Sequence, residues 1–336
     1  MRIFLYRHLS KTCFFLLLVC SVSLNAQQTG KYEVTLYAFP SMQPFDWESP
    51  STLFKTAKDC FYKTMSLKDN YLLGHMAISL NSPLLPQKDY FAMTSAHKMQ
   101  RVNLILKDKI GLAILGATLE GHVESEGHML HMLQVYAERK KLAYITFSVT
   151  QAAMNRILDF ITKFTRNNPD GVQQSMHYGG AYWPLYQDEG AGCSAFALGV
   201  LASASLLPAE ASVWLRNVDI PMQLVGGEYN LNKRIPFRRI LKSKTWYQGE
   251  GKPNVDFVNV QTYDPSVLFD WILEMRSRKD FIYIAENLNG VPGLRVDCTS
   301  RSLPAEKPYF VKRSEPNLFI DLYRKKLLQH ASIPTP

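Results

Sequence analysis

The sequence predicts an α+β fold, because segments with strand-like and helix-like patterns are partly segregated along the chain. Strand-like patterns dominate up to about residue 119, whereas long helical patterns occupy residues 150–164 and 194–207. No internal repeat and no low-complexity segment interrupts this order. A doubly wound arrangement is disfavoured, since it would need strands and helices in regular alternation.

The strand predictions rest on alternation and on short apolar runs. Residues 71–80 (YLLGHMAISL) form an apolar run with Gly74 and His75 near its centre. A helical stretch over about residues 50–65 separates this run from the first strand. Four strands are predicted in this part of the chain, over residues 31–38, 71–80, 102–106 and 111–119.

The helix predictions rest on apolar spacing. Residues 150–164 carry one apolar stripe, with Thr150 as a capping residue. Residues 194–207 (SAFALGVLASASLL) are almost uniformly small or apolar, so a helix there would be buried on most sides. The pattern also predicts a helix over residues 127–141, a strand over residues 142–149, then short strands and loops up to a basic, mixed helix near residues 318–330.

The first 26 residues have the three-part pattern of a cleavable secretory signal. Three cations and no acid precede an apolar run over residues 12–24, whose 13 residues are fewer than the roughly 20 that a spanning helix needs. Lipoprotein anchoring is disfavoured, because Val19 precedes Cys20 where a small residue is usual, but it stays open. We therefore expect export to the periplasm or beyond the cell.

The chain after the signal carries a mild positive charge. Without the three cations of the signal, 35 Lys and Arg stand against 29 Asp and Glu, which is a formal net charge of +6. This excess does not indicate nucleic acid, and we expect none as a partner. Six of the cations lie in residues 233–244 (KRIPFRRILKSK), without any acid. That segment is either a solvated basic loop or a peripheral contact with an anionic envelope surface.

Three cysteines follow the signal, and an odd number in an oxidising compartment leaves at least one thiol unpaired. Cys60 and Cys298 are either bonded to each other or simply buried. Cys193 follows Gly192 at the expected start of the apolar helix, where the helix dipole favours a thiolate and backbone N–H groups favour an oxyanion. Cys193 is thus either a nucleophile or an inert small core residue.

His75 lies among apolar residues of a predicted strand. An imidazole in such a position is either a hydrogen-bonded core group or a base. A cysteine at a helix start makes the second interpretation possible, because a thiol nucleophile needs a base to remove its proton.

These motifs resemble one family, the circularly permuted branch of the NlpC-type papain-like superfamily. The similarity lies in GHMAI (residues 74–78) on a strand, an amphipathic helix, a Tyr-Gly-Gly loop (residues 178–180) and GCSAF (residues 192–196) at a helix start. In that branch the histidine strand precedes the cysteine helix. The resemblance covers residues 31–207 and implies a small antiparallel sheet packed against a buried cysteine-bearing helix.

The resemblance also implies a domain organisation and a chemistry. Residues 27–210 would form the catalytic core, and residues 211–336 an extension that packs on it. Cys193 would be the nucleophile and His75 the base, cleaving amide, peptide or acyl-ester bonds through a thioester. We expect cell-wall peptides or lipid acyl groups as substrates, with peptidase, amidase and acyltransferase left open.

The group that orients the imidazole is less directly indicated. Glu120 closes a predicted strand and is the first choice, while His122 and Glu124 share its alternation and stay open. Gly192 stands where many relatives carry Asn or another polar residue. The expected substrate-binding residues are those around the aromatic loop and the helix start, namely Tyr178, Tyr182, Trp183, Gly192 and Ser194.

Two other functions compete with this one. A zinc-dependent hydrolase is suggested by the crowding of five His and Glu residues within residues 122–131, although the spacing matches no standard signature and His-Glu-x-x-His is absent. A non-catalytic envelope binding protein on the same scaffold is the second alternative. We expect an enzyme, because an intact Cys193 and His75 serve no purpose in a protein that only binds. We expect this enzyme to use no metal and no cofactor.

Overall fold

The computed structural model describes residues 32–64, 67–167, 173–278, 280–303 and 308–331. The predicted signal, residues 1–26, lies outside this described part. The α+β class is confirmed, since these residues form nine α-helices and several sheets. In the same ranges, no helix has both the length and the apolarity needed to cross a bilayer.

The strands form a six-stranded sheet, a three-stranded sheet and a two-stranded ribbon in the described residues. In chain order the strands are β1 (Tyr32–Phe39), β2 (His75–Asn81), β3 (Asp89–Phe91), β4 (Met93–Ser95), β5 (Leu119–Val123), β6 (Ala143–Val149), β7 (His177–Tyr178), β8 (Leu215–Pro221), β9 (Phe257–Tyr263), β10 (Ile284–Leu288) and β11 (Val291–Asp297). The helices are α1 (Pro50–Thr64), α2 (Lys98–Leu106), α3 (Glu126–Glu138), α4 (Gln151–Thr165), α5 (Cys193–Ser203), α6 (Ala211–Trp214), α7 (Phe237–Lys242), α8 (Pro265–Ser277) and α9 (Leu318–Ala331).

The six-stranded sheet has the order β10-β11-β6-β1-β2-β3 and holds the core on both faces. One face packs against α4, α5 and α8, while the other packs against α3. Strands covered on both faces bury their side chains at nearly every position, as β1, β2 and β6 do. The β6–β11 pair is parallel, so the sheet is mixed. With six strands it is also larger than the small antiparallel sheet that the resemblance implies.

The cysteine-bearing helix α5 is buried along nearly its whole length, as its uniformly apolar sequence predicts. It packs against β2, the strand that begins with His75, and against α4. Helix α4 matches its prediction closely, and the Thr150 side chain caps it by accepting a hydrogen bond from the Ala153 N–H at 3.1 Å. Strand β2 and helix α4 hold α5 in place, with the start of α5 beside the start of β2.

The segment after residue 210 contributes strands to the central sheet and does not merely cover it. Strand β11 pairs with β6, and the β10–β11 hairpin turns at Asn289 and Gly290, which both have positive φ, as a two-residue hairpin turn requires. Helix α8, which the sequence analysis missed, packs on β11, β1 and β6. Its start carries two typical signals, a capping side chain at Asp264 and Pro265 in the first turn.

Two strand predictions are wrong and one has the wrong start. Residues 102–106 belong to helix α2, and most of residues 111–119 form loops and a 3₁₀ turn, Leu112–Leu115, before β5 begins at Leu119. An apolar run of five residues fits a short strand and a helix equally well, so periodicity alone could not decide between them. Strand β2 begins at His75, so the imidazole lies at the N-terminal end of the strand and not at its centre.

Candidate active site

His75 stands where the chain leaves a tight turn and enters the central sheet. The Gly74 N–H donates to the Tyr71 carbonyl at 3.0 Å, and Gly74 has φ +75, a left-handed conformation that favours glycine. His75 then pairs with Phe39 at the end of β1. The imidazole lies beside the start of α5, and His75 is 2% exposed.

Cys193 is the first residue of α5 and is 8% exposed. The first N–H groups of a helix have no partner within it, and they give the helix start a partial positive charge that favours a thiolate. The loop before it is held in place because the Ala191 N–H donates to the His177 carbonyl at 3.0 Å. The sulfur therefore has a defined position against β2.

The structure brings Cys193 and His75 together, close enough for each to shift the pKa of the other. Burial by itself would raise the pKa of the Cys193 thiol, but the positive charge of the adjacent His75 outweighs it, and the pKa is lowered to about 7. Burial would likewise lower the pKa of His75, and the negative charges of Cys193 and Glu124 raise it to about 9. Between these two values the pair is a thiolate facing an imidazolium.

Two further groups stabilise the thiolate. The Met76 backbone and the Tyr178 hydroxyl lie next to the Cys193 sulfur, and both lower its pKa. Burial and the adjacent Cys193 sulfur raise the pKa of Tyr178, so its hydroxyl stays protonated and able to donate. Arg101 lies over the Tyr178 ring, with its guanidinium carbon 5.8 Å from the ring centroid.

The carboxylate that contacts His75 is Glu124. Its Oε1 lies 3.2 Å from the His75 Nε2, and both side chains are almost completely buried. Neither atom has a hydrogen-bond partner, so the two atoms lie close together without hydrogen-bond geometry. Burial alone would raise the pKa of Glu124, but His75 lowers it overall, so the carboxylate is charged. Because Nε2 faces Glu124, Nδ1 is the nitrogen left for the sulfur.

The first choice for this role, Glu120, is corrected by the geometry. Glu120 is 67% exposed and its carboxylate lies 3.1 Å from His97, and His122 is also exposed on the same strand. Alternation along β5 turns both side chains towards solvent. Glu124 lies one residue beyond the end of β5, where the alternation no longer holds, and its N–H donates to the Ala92 carbonyl at 2.9 Å. The chain thereby turns Glu124 inward.

Tyr71 is a site residue that the sequence analysis missed. Its ring stacks on the His75 imidazole, with the centroids 3.9 Å apart and the planes at 16°. Its hydroxyl donates to the Glu124 Oε2 at 2.9 Å. No sequence signal pointed to it, since its role depends on a turn of the chain and on Glu124, which is far away in sequence.

The expected substrate-binding residues all border one cleft of about 1250 Å³ that also contains Cys193. Trp183 is half-buried in it, with its ring 6.0 Å from the ring of Tyr263. Tyr182 is 3% exposed, and its hydroxyl lies 2.6 Å from the Thr118 Oγ1, so it serves mainly as a core residue. The cleft residues expected from sequence are Tyr178, Tyr182, Trp183, Gly192 and Ser194.

The histidine-rich segment has separate partners and not one shared centre. His128 lies 3.6 Å from Glu124, and His131 lies 3.4 Å from Asp69. In the described ranges, no three His, Cys, Asp or Glu side chains are arranged so that they could hold a metal ion.

The cysteines and the basic segment are also located. Cys60, Cys193 and Cys298 are free, buried thiols, so Cys60 and Cys298 do not pair. All six cations of residues 233–244 are exposed, and helix α7 within this segment packs against α1. No family model matches the chain, and no curated protein or solved structure matches it either.

Proposed function

We propose that this chain is a cysteine hydrolase or acyl-transfer enzyme on a circularly permuted, NlpC-type papain-like scaffold. The single observation that carries the proposal is the contact of three buried groups, Cys193, His75 and Glu124, drawn from a helix start, a strand start and a loop. A thiol with a lowered pKa next to an imidazole with a raised pKa is the arrangement of an activated nucleophile.

The geometry supports a two-step acyl transfer. The Cys193 thiolate attacks the carbonyl carbon of an amide or ester, and the carbonyl oxygen becomes an oxyanion. The unpaired N–H groups of the first turn of α5 and the Tyr178 hydroxyl supply donors for that oxyanion. The imidazolium of His75 then protonates the leaving amine or alcohol, and a thioester remains on Cys193.

The second step returns the enzyme to its starting state. Neutral His75 removes a proton from water or from an acceptor alcohol or amine, which attacks the thioester and expels the thiolate. The Glu124 carboxylate stabilises the imidazolium each time it forms. We place this chemistry in the periplasm or outside the cell, since residues 1–26 have the pattern of a secretory signal.

Thiol alkylation tests the proposal with two internal controls. Burial raises the pKa of the Cys60 and Cys298 thiols, whereas the pKa of Cys193 is about 7. At pH 6.5, a thiol with that pKa is about twenty-fold more ionised than an ordinary thiol of pKa about 8.5. Iodoacetamide labelling followed by peptide mass spectrometry should therefore modify Cys193 first, with a midpoint near pH 7.

A trapping experiment tests the covalent step itself. A p-nitrophenyl ester should leave its acyl group on Cys193, visible as the mass of one acyl group, and Cys193→Ala should abolish this adduct. His75→Ala should leave the protein folded but unreactive at neutral pH. If Cys193 is labelled no faster than Cys60 and no adduct forms, the proposal is wrong and the scaffold only binds.

A further inference from the structure

One surface of the molecule carries positive charge that the protein itself does not neutralise, and it has no part in the proposed chemistry. It is formed around residues 233–244, whose six cations are all exposed. Among the described residues, none of these six forms an ion pair with an Asp or Glu side chain. Two of them bond neutral groups instead, since the Arg234 guanidinium donates to the Lys107 carbonyl at 2.6 Å and the Lys244 ammonium donates to the Ser51 hydroxyl at 3.4 Å. These charges are therefore available to an external anion.

The positive surface extends into the turn after helix α2. The bond from Arg234 to Lys107, and a second one from the Ile235 N–H to the Lys109 carbonyl at 2.7 Å, hold this turn against the basic segment. The two stretches, residues 107–109 and 233–244, form the basic surface, which carries eight cations and one acid, Asp108. Charges of one sign that are gathered on one surface create a local field, and this field attracts a partner of the opposite charge.

Two exposed leucines lie at the edge of the basic surface. Leu231 is 87% exposed, in a turn that is closed because the Gly227 N–H donates to the Lys233 carbonyl at 2.8 Å. Its φ of +51 is a left-handed conformation that leucine rarely adopts. Leu106, directly before Lys107, is 54% exposed. Apolar side chains that are this exposed beside cations are typical of a surface that contacts a membrane.

Helix α7 separates the basic surface from the cleft that contains Cys193. Three apolar residues of this helix line the cleft, while its three cations are exposed. The spacing of the two sets puts them on opposite faces of the helix. The residues that line the cleft are Phe237, Ile240 and Leu241, and the exposed cations are Arg238, Arg239 and Lys242. A partner bound to the basic surface would therefore lie next to the rim of the cleft.

The leucines select among the possible anionic partners. A soluble polyanion, such as an acidic polysaccharide, pairs with the cations but gains little from Leu231 and Leu106. The surface of a bilayer offers anionic headgroups to Lys and Arg and hydrocarbon to an inserted leucine. We infer that the basic surface and Leu231 dock this protein onto an anionic lipid bilayer, with the cations on the headgroups and Leu231 inserted between them. The inference concerns where the protein works, and it does not depend on the chemistry at Cys193.

Vesicle sedimentation tests the inference with the protein as it is purified. Vesicles of phosphatidylcholine with an increasing share of phosphatidylglycerol supply a graded negative charge. Affinity should rise steeply with that share, because each Lys or Arg near an anionic membrane surface contributes about fivefold. Raising the salt from about 0.1 M to about 1 M shortens the Debye length from about 10 Å to about 3 Å, so binding should weaken at least tenfold. Equal binding to vesicles of pure phosphatidylcholine would overturn the inference.

A pair of charge variants tests the location. Arg238→Gln combined with Arg239→Gln removes two cations from the basic surface and should weaken binding to the anionic vesicles about twentyfold. The matched control is Lys68→Gln combined with Lys140→Gln, which removes the same net charge at two exposed positions outside the surface. Equal losses in the two proteins would show attraction by net charge alone and overturn the docking surface. If a variant does not fold, the lipid and salt series of the unmodified protein decides the question.

A change at Leu231 separates a bilayer from a soluble polyanion. Leu231→Asn should fold normally, because asparagine accepts a left-handed backbone conformation. It lacks the inserted apolar side chain, so its vesicle affinity should fall about tenfold, while its affinity for dextran sulfate should not change. Leu130→Asn is the matched control, since Leu130 is 46% exposed on α3, and it should bind vesicles normally.

Two results would assign the basic surface to a different partner and overturn the inference. One is binding of dextran sulfate without binding of vesicles, and the other is a Leu231→Asn protein that binds vesicles as tightly as the unmodified protein. All variants share residues 1–31, so a retained signal would contribute equally to each of them. The labelling of Cys193 is a separate measurement, so failure of the docking inference leaves the proposed function untouched.

Discussion

The aromatic ring of Tyr71 lies flat on the imidazole of His75, with the ring centroids 3.9 Å apart, while its hydroxyl donates to the carboxylate that touches the same imidazole. Tyr71 thus holds both the plane of His75 and the position of Glu124. The Tyr71 N–H is itself fixed by the Tyr136 hydroxyl at 2.8 Å, on helix α3. The orientation of the His75 imidazole therefore depends on a chain of contacts that extends beyond Cys193, His75 and Glu124.

Replacing Glu124 should impair the site far more than replacing Glu120. Glu124→Gln removes the negative charge beside His75, lowers the pKa of the imidazole and so raises the pKa of Cys193. A rise of about one unit from a pKa of about 7 means about fivefold less thiolate at pH 7. Glu120→Gln, at an exposed position, should change nothing. The pH midpoint of Cys193 alkylation is measured for both variants. Equal midpoints for Glu124→Gln and Glu120→Gln would rule out Glu124 as the group that orients His75.

Replacing Tyr71 should separate its two contacts. Tyr71→Phe keeps the ring on His75 but removes the hydrogen bond to Glu124, and we expect roughly a threefold loss of acylation rate. Tyr71→Leu removes the stacked ring as well and should cost clearly more. A single-turnover assay with an activated ester measures the rate. If both variants behave alike, stacking on His75 has no role in orienting it.

Turnover should have a bell-shaped dependence on pH. Activity needs the Cys193 thiolate, which is lost as the pH falls below about 7, and the His75 imidazolium, which is lost as the pH rises above about 9. The rate should therefore be highest between these two values. A profile of kcat/KM against pH checks this, and a single rising limb centred near the pKa of an ordinary thiol would contradict an ion pair.

The buried carboxylate of Glu189 should matter for stability. Glu189 is fully buried, and it accepts hydrogen bonds from Arg313 at 2.7 Å and 2.8 Å and from Arg324 at 3.3 Å. Glu189→Ala leaves two cations without this partner, which should lower the free energy of unfolding by about 3 kcal/mol. The matched control is Glu228→Ala, which breaks the exposed pair with Lys326 and should cost less than about 1 kcal/mol. Urea unfolding measures the free energy of unfolding of both variants. Equal losses would contradict a stabilising role for the buried carboxylate of Glu189.

The loop before Cys193 tolerates no extra carbon at Gly190. A Cβ there would lie 1.8 Å from the His177 carbonyl oxygen, so Gly190→Ala must displace the loop or β7. We expect both a lower thermal midpoint and slower Cys193 alkylation, since the same loop positions the sulfur. Gly127→Ala is the control, because a Cβ at that position of α3 meets no atom within 4 Å. A Gly190→Ala protein with normal stability and reactivity would show that the loop adapts freely.

The sequence alone determined several of the local elements and two of the three groups of the candidate site. Periodicity is a local property, so the stripe of α4 and the uniformly apolar α5 could be predicted from their own residues. The helix-start position of Cys193 and the apolar surroundings of His75 singled out these two residues before the family resemblance did, and the structure places them together. Apolar runs without a clear period, as in α2, had no local property that separates a helix from a strand.

Only the tertiary structure decided which carboxylate faces the imidazole, what holds it there and how the C-terminal third joins the sheet. Alternation put Glu120 and Glu124 on one face, but β5 ends at Val123, and beyond that residue the direction of a side chain depends on long-range contacts. Tyr71, Glu124 and the parallel β6–β11 pair join residues that are distant in sequence. Such contacts form because the packed sheet and helices bring these residues together, and no local pattern encodes them.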